Sequence, residues 1–200
     1  MKRNITFAFD LDNTLVKTDV ANNNSYVDAI RVVTGRDITI NPNIRFTKEN
    51  LYSLLPDLPN DQMAKIIALK KELFSNHLAS SVLNTELATI LKMLFINGNK
   101  TILLTNSCKE RANKVCSYYD LNKYFHNQYY FEDYDKNKYH FLNQKYNLES
   151  VVLFENESES INDAIKNGLI KNNINKPKTR IGEKLNGTPL FIVTLLIRRL

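Results

Sequence analysis

The chain predicts an α/β fold, a parallel sheet flanked by helices and interrupted once by an all-helical block. Short apolar runs that end abruptly in polar residues recur at residues 5–9, 101–105 and 151–154, with helical patterns between them. Strand, helix, strand at this spacing requires parallel crossovers. Residues 17–83, by contrast, carry helical periodicity and almost no strand signal. With 43% hydrophobic residues, ten Phe and ten Tyr among 200 residues, the chain has material for a sizeable core and little reason for disorder outside its termini.

The first strand is Ile5-Thr6-Phe7-Ala8-Phe9, apolar enough to be buried on both faces. In the helical block the periodicity predicts helices over Tyr26–Val33 and Asp61–Leu78. Asn22 to Asn24 with Ser25 reads as a polar entry to the first of these, and Asn60 or Asp61 as the cap of the second, with Pro56 and Pro59 as punctuation. The α/β rhythm resumes with a helix over Thr85–Ile96 and an Asn97-Gly98-Asn99 turn. Then come a strand over Thr101–Thr105, a helix over Lys109–Tyr119 and an aromatic strand, Tyr129-Tyr130-Phe131. A helix over Tyr139–Tyr146 and the strand Val151–Phe154 follow.

The formal charge of +6 is uneven. From Lys171 onward there are seven basic residues against one acid, Glu183, so the tail carries the whole excess and residues 1–170 are neutral. A neutral body argues against a specific nucleic-acid-binding face, whereas the tail suits a solvated end or weak contact with a polyanion or a membrane surface. The longest apolar run, Leu190–Ile197, has about eight residues where a membrane helix needs about twenty. Two cysteines, Cys108 and Cys116, and a start without a signal peptide's apolar core predict a reducing, cytoplasmic setting. His77, His126 and His140 are scattered and suggest no zinc site.

Chemistry belongs at the strand ends, where ligands bind in open α/β sheets. Asp10 and Asp12 stand one residue apart at the end of the first strand. Two carboxylates there repel each other unless a divalent cation shares them, and the alternative is an Asp-rich turn capping a helix. Thr105-Asn106-Ser107 ends the second strand, where a hydroxyl and backbone N–H groups can hold a phosphate oxygen, or where Ser107 or Asn106 simply caps the next helix. Glu155-Asn156-Glu157-Ser158-Glu159 ends the last, a run of oxygen ligands suited to Mg²⁺ or an acidic first turn facing a helix dipole. Lys136 and Lys138 lie between them, either able to neutralise a phosphate. Lys138 fits better, because Phe141 and Leu142 then occupy the core positions of a helix that starts at the lysine.

In this order and spacing the motifs resemble the haloacid dehalogenase superfamily, in its phosphatase branch with an α-helical cap inserted after the first motif. The resemblance rests on D-x-D-x-T at Asp10, Asp12 and Thr14, on the apolar strand ending in Thr105-Asn106, on a lysine before a helix, and on Phe154 to Gly168, which looks like the family's F-E-D-x4-I-x2-A-x3-G segment. It implies a three-layer Rossmann-like parallel sheet formed by residues 1–16 and 84–170, a helical cap at 17–83, and a basic tail at 171–200. It also implies Mg²⁺-dependent hydrolysis of a small phosphorylated metabolite, a nucleotide or sugar phosphate, through an aspartyl-phosphate.

In that scheme Asp10 is the nucleophile and Asp12 the general acid and base. Thr105, Asn106 and Lys138 hold the phosphate, and Asp10, the Asp12 carbonyl, Glu155 and Asn156 hold the metal. Asn156 stands where the family most often has an aspartate, and a neutral oxygen weakens such a site. A catalytically weak or inactive member that binds a phosphorylated ligand or a partner is therefore the alternative, and a phosphomutase is a third reading. Arg31, Arg36, Arg45, Lys48, Tyr26 and Tyr52 are the cap side chains available to face a substrate.

Overall fold

The structure is a computed structural model that describes residues 5–135 and 137–177. Lys136 and the tail from Lys178, including the apolar segment at 190–200, lie outside the described residues. The described residues divide into two compact units, one formed by those within 5–15 and 83–177 and the other by residues 16–82.

The first unit is built on a five-stranded sheet: β1 (Thr6–Phe9), β4 (Lys100–Leu104), β5 (Asn127–Tyr129), β6 (Val151–Phe154) and β7 (Ile174–Asn175). The order is β5-β4-β1-β6-β7 and every pairing is parallel. Phe9 is level with Leu103 on one side and Phe154 on the other, so β1, β4 and β6 end side by side. Their burial on both faces explains the unbroken apolar runs. One face packs Ala8, Ile102, Leu104 and Leu153 against Tyr139, Leu142 and Ala164, while Phe9 stacks on Phe154 at 4.5 Å between ring centroids. The crossover helices are α4 (Thr85–Ile96), α5 (Lys109–Tyr118), α6 (Lys138–Lys145) and α7 (Ser158–Lys166).

Two strands differ from their prediction. The aromatic strand expected at Tyr129–Phe131 pairs two residues earlier, at Asn127–Tyr129. Tyr130 leaves the ladder because its N–H is taken by the Asp133 carboxylate at 2.8 Å, which starts a 3-10 turn over Phe131–Asp133. Phe131, its β propensity notwithstanding, is 57% exposed. The second difference is β7, which pairs with β6 beyond residue 170, in the segment whose charge had marked it as tail.

The second unit is helical: α1 (Asp19–Thr34), α2 (Lys48–Leu54), α3 (Asn60–Leu73) and a 3-10 helix over Phe74–Ser80. The two-residue strands β2 (Val16–Lys17) and β3 (Val82–Leu83) pair where the chain passes between units. Its core joins Tyr26, Ala29, Ile30, Leu51, Met63 and Ile66. Asn22 to Ser25 are not a polar entry but the interior of α1, since Asn22, Asn23 and Ser25 are buried with hydrogen-bond partners. Neither Asn60 nor Asp61 caps α3. Pro59 occupies that position in an extended conformation without a side-chain bond, and Asn60 is already helical. The continuous helix expected to Leu78 changes to 3-10 geometry at Phe74. Helix α2 carries a reciprocal capping box between Thr47 and Asn50 that the periodicity does not reveal.

Candidate active site

The predicted residues meet at the carboxyl ends of β1, β4 and β6. Asp10 continues β1, its N–H donating to the Phe154 carbonyl at 3.0 Å, so the chain is still held in the ladder where it turns acidic. Asn13 then adopts a left-handed conformation, φ 58°, which bends the chain sharply after Asp12. Thr14 is buried and its hydroxyl oxygen accepts the Asn156 N–H at 3.2 Å. The threonine of D-x-D-x-T thus ties the turn after β1 to the end of β6.

Asp10 is only 6% exposed and Lys138 3%. Lys138, the first residue of α6, donates from Nζ to Asp10 Oδ1 at 2.8 Å and to Glu155 Oε2 at 2.9 Å. The Asn137 side chain caps α6 by accepting from the N–H groups of Tyr139 and His140, and Leu142 anchors it in the core. Burial pushes the Asp10 carboxyl up to about 7, outweighing the stabilising Lys138 charge, and the Glu155 carboxylate adds to the rise. Burial pulls Lys138 the other way, but Asp10, Tyr139 and Glu155 together hold its ammonium well above the usual lysine range. Two carboxylates share one cation in a dry pocket, and the pocket is short of positive charge.

Glu155 is the most enclosed of the set, at 1% exposure. Its Oε2 accepts from Lys138 and from the Tyr139 hydroxyl at 2.8 Å, and its Oε1 accepts the N–H groups of Asn156 and Glu157 at 2.9 and 3.1 Å. Asn156 donates from Nδ2 to the Asn13 carbonyl at 3.1 Å. Glu159 lies in the exposed first turn of α7.

Thr105 is buried, takes its place through an N–H bond to the Tyr129 carbonyl, and its hydroxyl oxygen accepts the Ser107 N–H at 3.1 Å. Tyr134 braces this loop, its hydroxyl 2.7 Å from both the Thr105 carbonyl and the Asn106 side-chain oxygen. Neither Asn106 nor Ser107 caps α5. The N-cap position belongs to Cys108, without a side-chain bond, and the Glu132 carboxylate accepts the Lys109 N–H instead. Ser107 Oγ is turned to Asp12, donating to Oδ2 at 2.5 Å, and Arg111 Nη2 meets Asp12 Oδ1 at 2.7 Å.

Arg111 and Tyr139 are the residues that the motif reading missed here, and Ser107, expected to hold a phosphate or to cap α5, instead bonds Asp12. Arg111 did leave a signal, since a cation in the first turn of a helix opposes the macrodipole and needs a nearby acid. Several of the candidate substrate-facing side chains in the helical unit make local contacts. Arg31 pairs with Asp28 and Arg45 with Asp19, while Tyr26 belongs to the core and Lys48 lies over the Tyr52 ring. Cys108 and Cys116 are both free thiols, and burial pushes that of Cys116 up to about 12. Each histidine has its own neighbour: Asp28 for His77, Thr101 for His126 and Gln144 for His140.

Among the described residues no three or more His, Cys, Asp or Glu side chains converge as a ready metal cluster. The residues that the motif reading assigns to a metal offer hard oxygens, the type that Mg²⁺ takes: the second Asp10 oxygen, the Asp12 carbonyl and the Asn156 amide oxygen. They fit such an ion in kind and supply one full negative charge. Glu155 adds its charge to the pocket, but either of its oxygens would have to give up existing donors to bind an ion directly.

No protein-family model and no curated protein matches the chain. Solved structures do. A haloacid dehalogenase-like hydrolase from Streptococcus pneumoniae superposes with a TM-score of 0.65 at 14% identity, covering 84% of this chain and 83% of that one. A Thermotoga maritima protein described as a beta-phosphoglucomutase gives 0.69 at 18% identity, over 94% and 91%. A predicted phosphoglycolate phosphatase from Haemophilus somnus gives 0.70 at 15% identity, over 84% of each chain. At these identities the likeness is one of fold, a fold the chain shares with the haloacid dehalogenase-like hydrolase among them.

Proposed function

We propose that this chain is a phosphomonoester hydrolase that works through an aspartyl-phosphate on Asp10, with a small phosphorylated metabolite as substrate. The observation that carries the reading is the buried ion pair of Asp10 with Lys138 at the sheet's carboxyl edge, next to the Thr105 loop. Structural neighbours described as phosphatases and hydrolases support it at the level of fold.

Asp10 attacks phosphorus as the nucleophile, and Asp12 protonates the departing oxygen and then takes a proton from the water that hydrolyses the acyl phosphate. Lys138 holds a phosphoryl oxygen while keeping its bond to Glu155, which fixes the ammonium over the reacting centre. The Thr105 hydroxyl, whose oxygen already accepts the Ser107 N–H, has its proton to give to a second oxygen, and Asn106 is exposed beside it. Mg²⁺, held by Asp10, the Asp12 carbonyl and Asn156, would screen the phosphate from the carboxylates and favour the ionised form of Asp10.

The test is steady-state hydrolysis of p-nitrophenyl phosphate with and without Mg²⁺ by the wild type and Asp10→Asn. Turnover that needs the metal and disappears in Asp10→Asn is expected. Turnover indifferent to Asp10→Asn would sink the mechanism. A second reading, a slow or inactive site that retains phosphate binding, is favoured by the neutral Asn156 and the occupied oxygens of Glu155. It predicts phosphate binding without turnover in the wild type. Phosphomutase chemistry on the same intermediate would appear as transfer of the phosphoryl group to a sugar phosphate in place of release.

A further inference from the structure

We propose that Arg111 is a positioning residue for Asp12, fixing which carboxylate oxygen faces the reaction as an acid. The inference rests on the acid role proposed for Asp12. Both oxygens of that carboxylate are held by the segment that follows β4: Oδ1 by Arg111 at 2.7 Å and Oδ2 by Ser107 at 2.5 Å. The two side chains of the ion pair are 14% and 16% exposed, so the pair is poorly screened.

The two partners differ in kind. A guanidinium only donates, so the oxygen it holds must remain an acceptor, whereas a serine hydroxyl either donates or accepts. Oδ1 is therefore the permanent anchor, and Oδ2 is the oxygen that carries the proton, its hydroxyl partner turning to accommodate it. Ser107 also donates its N–H to the Thr105 hydroxyl oxygen. The loop proposed to receive the phosphate thus also orients the acid, which registers the proton donor against the bond to be broken. A purely structural role, a tie between the turn after Asp10 and α5, would leave the chemistry of proton donation untouched.

The experiment separates the two through the leaving group. Phenyl phosphate needs protonation of its departing oxygen, p-nitrophenyl phosphate scarcely does, and kcat/KM reports the step that releases it. Arg111→Met is expected to lower kcat/KM for phenyl phosphate about tenfold more than for p-nitrophenyl phosphate, with Arg111→Lys recovering part of the difference. In an Asp12→Asn background Arg111→Met is expected to add no leaving-group-dependent loss. Equal losses on both esters, or none, would overturn the inference. Ser107→Ala, which deletes only the Oδ2 donor, is expected to shift the ratio in the same direction and carries the test if Arg111→Met melts early. Turnover surviving Asp10→Asn defeats the hydrolase mechanism itself, while a dead Asp10→Asn with an unchanged ester ratio in both variants defeats this inference alone.

Discussion

Both units bury polar side chains, but of different kinds. In the helical unit the buried groups are neutral amides and hydroxyls, bonded chiefly to the backbone. Asn23 donates to the carbonyls of Ile44 and Asn41 and accepts the Phe46 N–H, and Asn22 donates to the Phe46 carbonyl. These bonds hold the strandless segment at 41–46 against α1, where the backbone has no ladder of its own. At the carboxyl edge of the sheet the buried groups are ionisable, and Asp10 and Glu155 share the single ammonium of Lys138. A satisfied amide stabilises the fold, while a charge-poor pocket waits for a ligand to balance it. The contrast separates polar burial that serves structure from polar burial that serves chemistry.

The largest expected effect lies on the chemical side. Asp10→Asn keeps the shape and removes the nucleophile, so kcat is expected to fall on the order of a thousandfold or more, a loss of about 4 kcal/mol in transition-state stabilisation. Lys138→Met should approach it, because Asp10 and Glu155 then face each other without their cation. Steady-state kinetics on an aryl phosphate checks both, and a variant within tenfold of wild type would place the chemistry elsewhere.

Next comes the structural side. Asn23→Ala removes three hydrogen bonds that a buried side chain makes to the segment at 41–46, and is expected to cost about 2–3 kcal/mol in urea denaturation of the full chain. An unchanged midpoint would show that water replaces the amide there, and the contrast between the two units would collapse.

These two sites were unequally legible in the sequence. Asp10, Thr105, Glu155 and Asn156 announced themselves because an apolar run of a buried strand has one end, and the residue type changes there. Lys138 was found by helical spacing to Phe141 and Leu142. Asn22 and Asn23 read as solvated because composition treats an asparagine as surface, and only the segment at 41–46, about twenty residues on, makes their burial favourable, while Ser25 is satisfied within α1 by the Ala21 carbonyl. Ser107 looked like a local helix cap for the same reason: its partner Asp12 is 95 residues away. The shift of the aromatic strand had a local cause, the carboxylate of Asp133, which outcompeted the β propensity of Tyr130 and Phe131. Pairwise contacts between distant polar residues leave almost no trace in periodicity.

A smaller effect follows from the charge shortage itself. The Asp10 carboxyl is raised from 3.8 to about 7 in the folded protein, so the folded state holds a proton that the unfolded state has released. Its contribution to stability is present below about pH 4 and is lost as pH rises to about 7, with no further change above. Asp10→Asn cannot titrate and leaves Lys138 matched to Glu155 alone. In metal-free buffer the variant is expected to melt above wild type at pH 8, an advantage that vanishes towards pH 4. Thermal melts across that range check it, and an advantage independent of pH would break the link to Asp10.

The smallest expected effect concerns Asn156, where the two kinds of polar burial meet in one side chain. Its amide behaves like those of the helical unit, donating to the Asn13 carbonyl at 3.1 Å, yet it follows the end of β6, the strand whose Phe154 carbonyl holds the Asp10 N–H. Asn156→Asp puts an acceptor against that carbonyl and adds a charge to a pocket already short of cations, so the metal-free protein should melt earlier than wild type. The same charge strengthens any divalent site formed with Asp10, by about tenfold in affinity or about 1.4 kcal/mol. The signature is therefore a crossing: lower melting temperature in chelator, larger upward shift with added Mg²⁺, read by thermal denaturation without recourse to turnover. A variant that melts early and gains nothing from Mg²⁺ would mean that Asn156 belongs with Asn23, as an amide retained for the turn it holds.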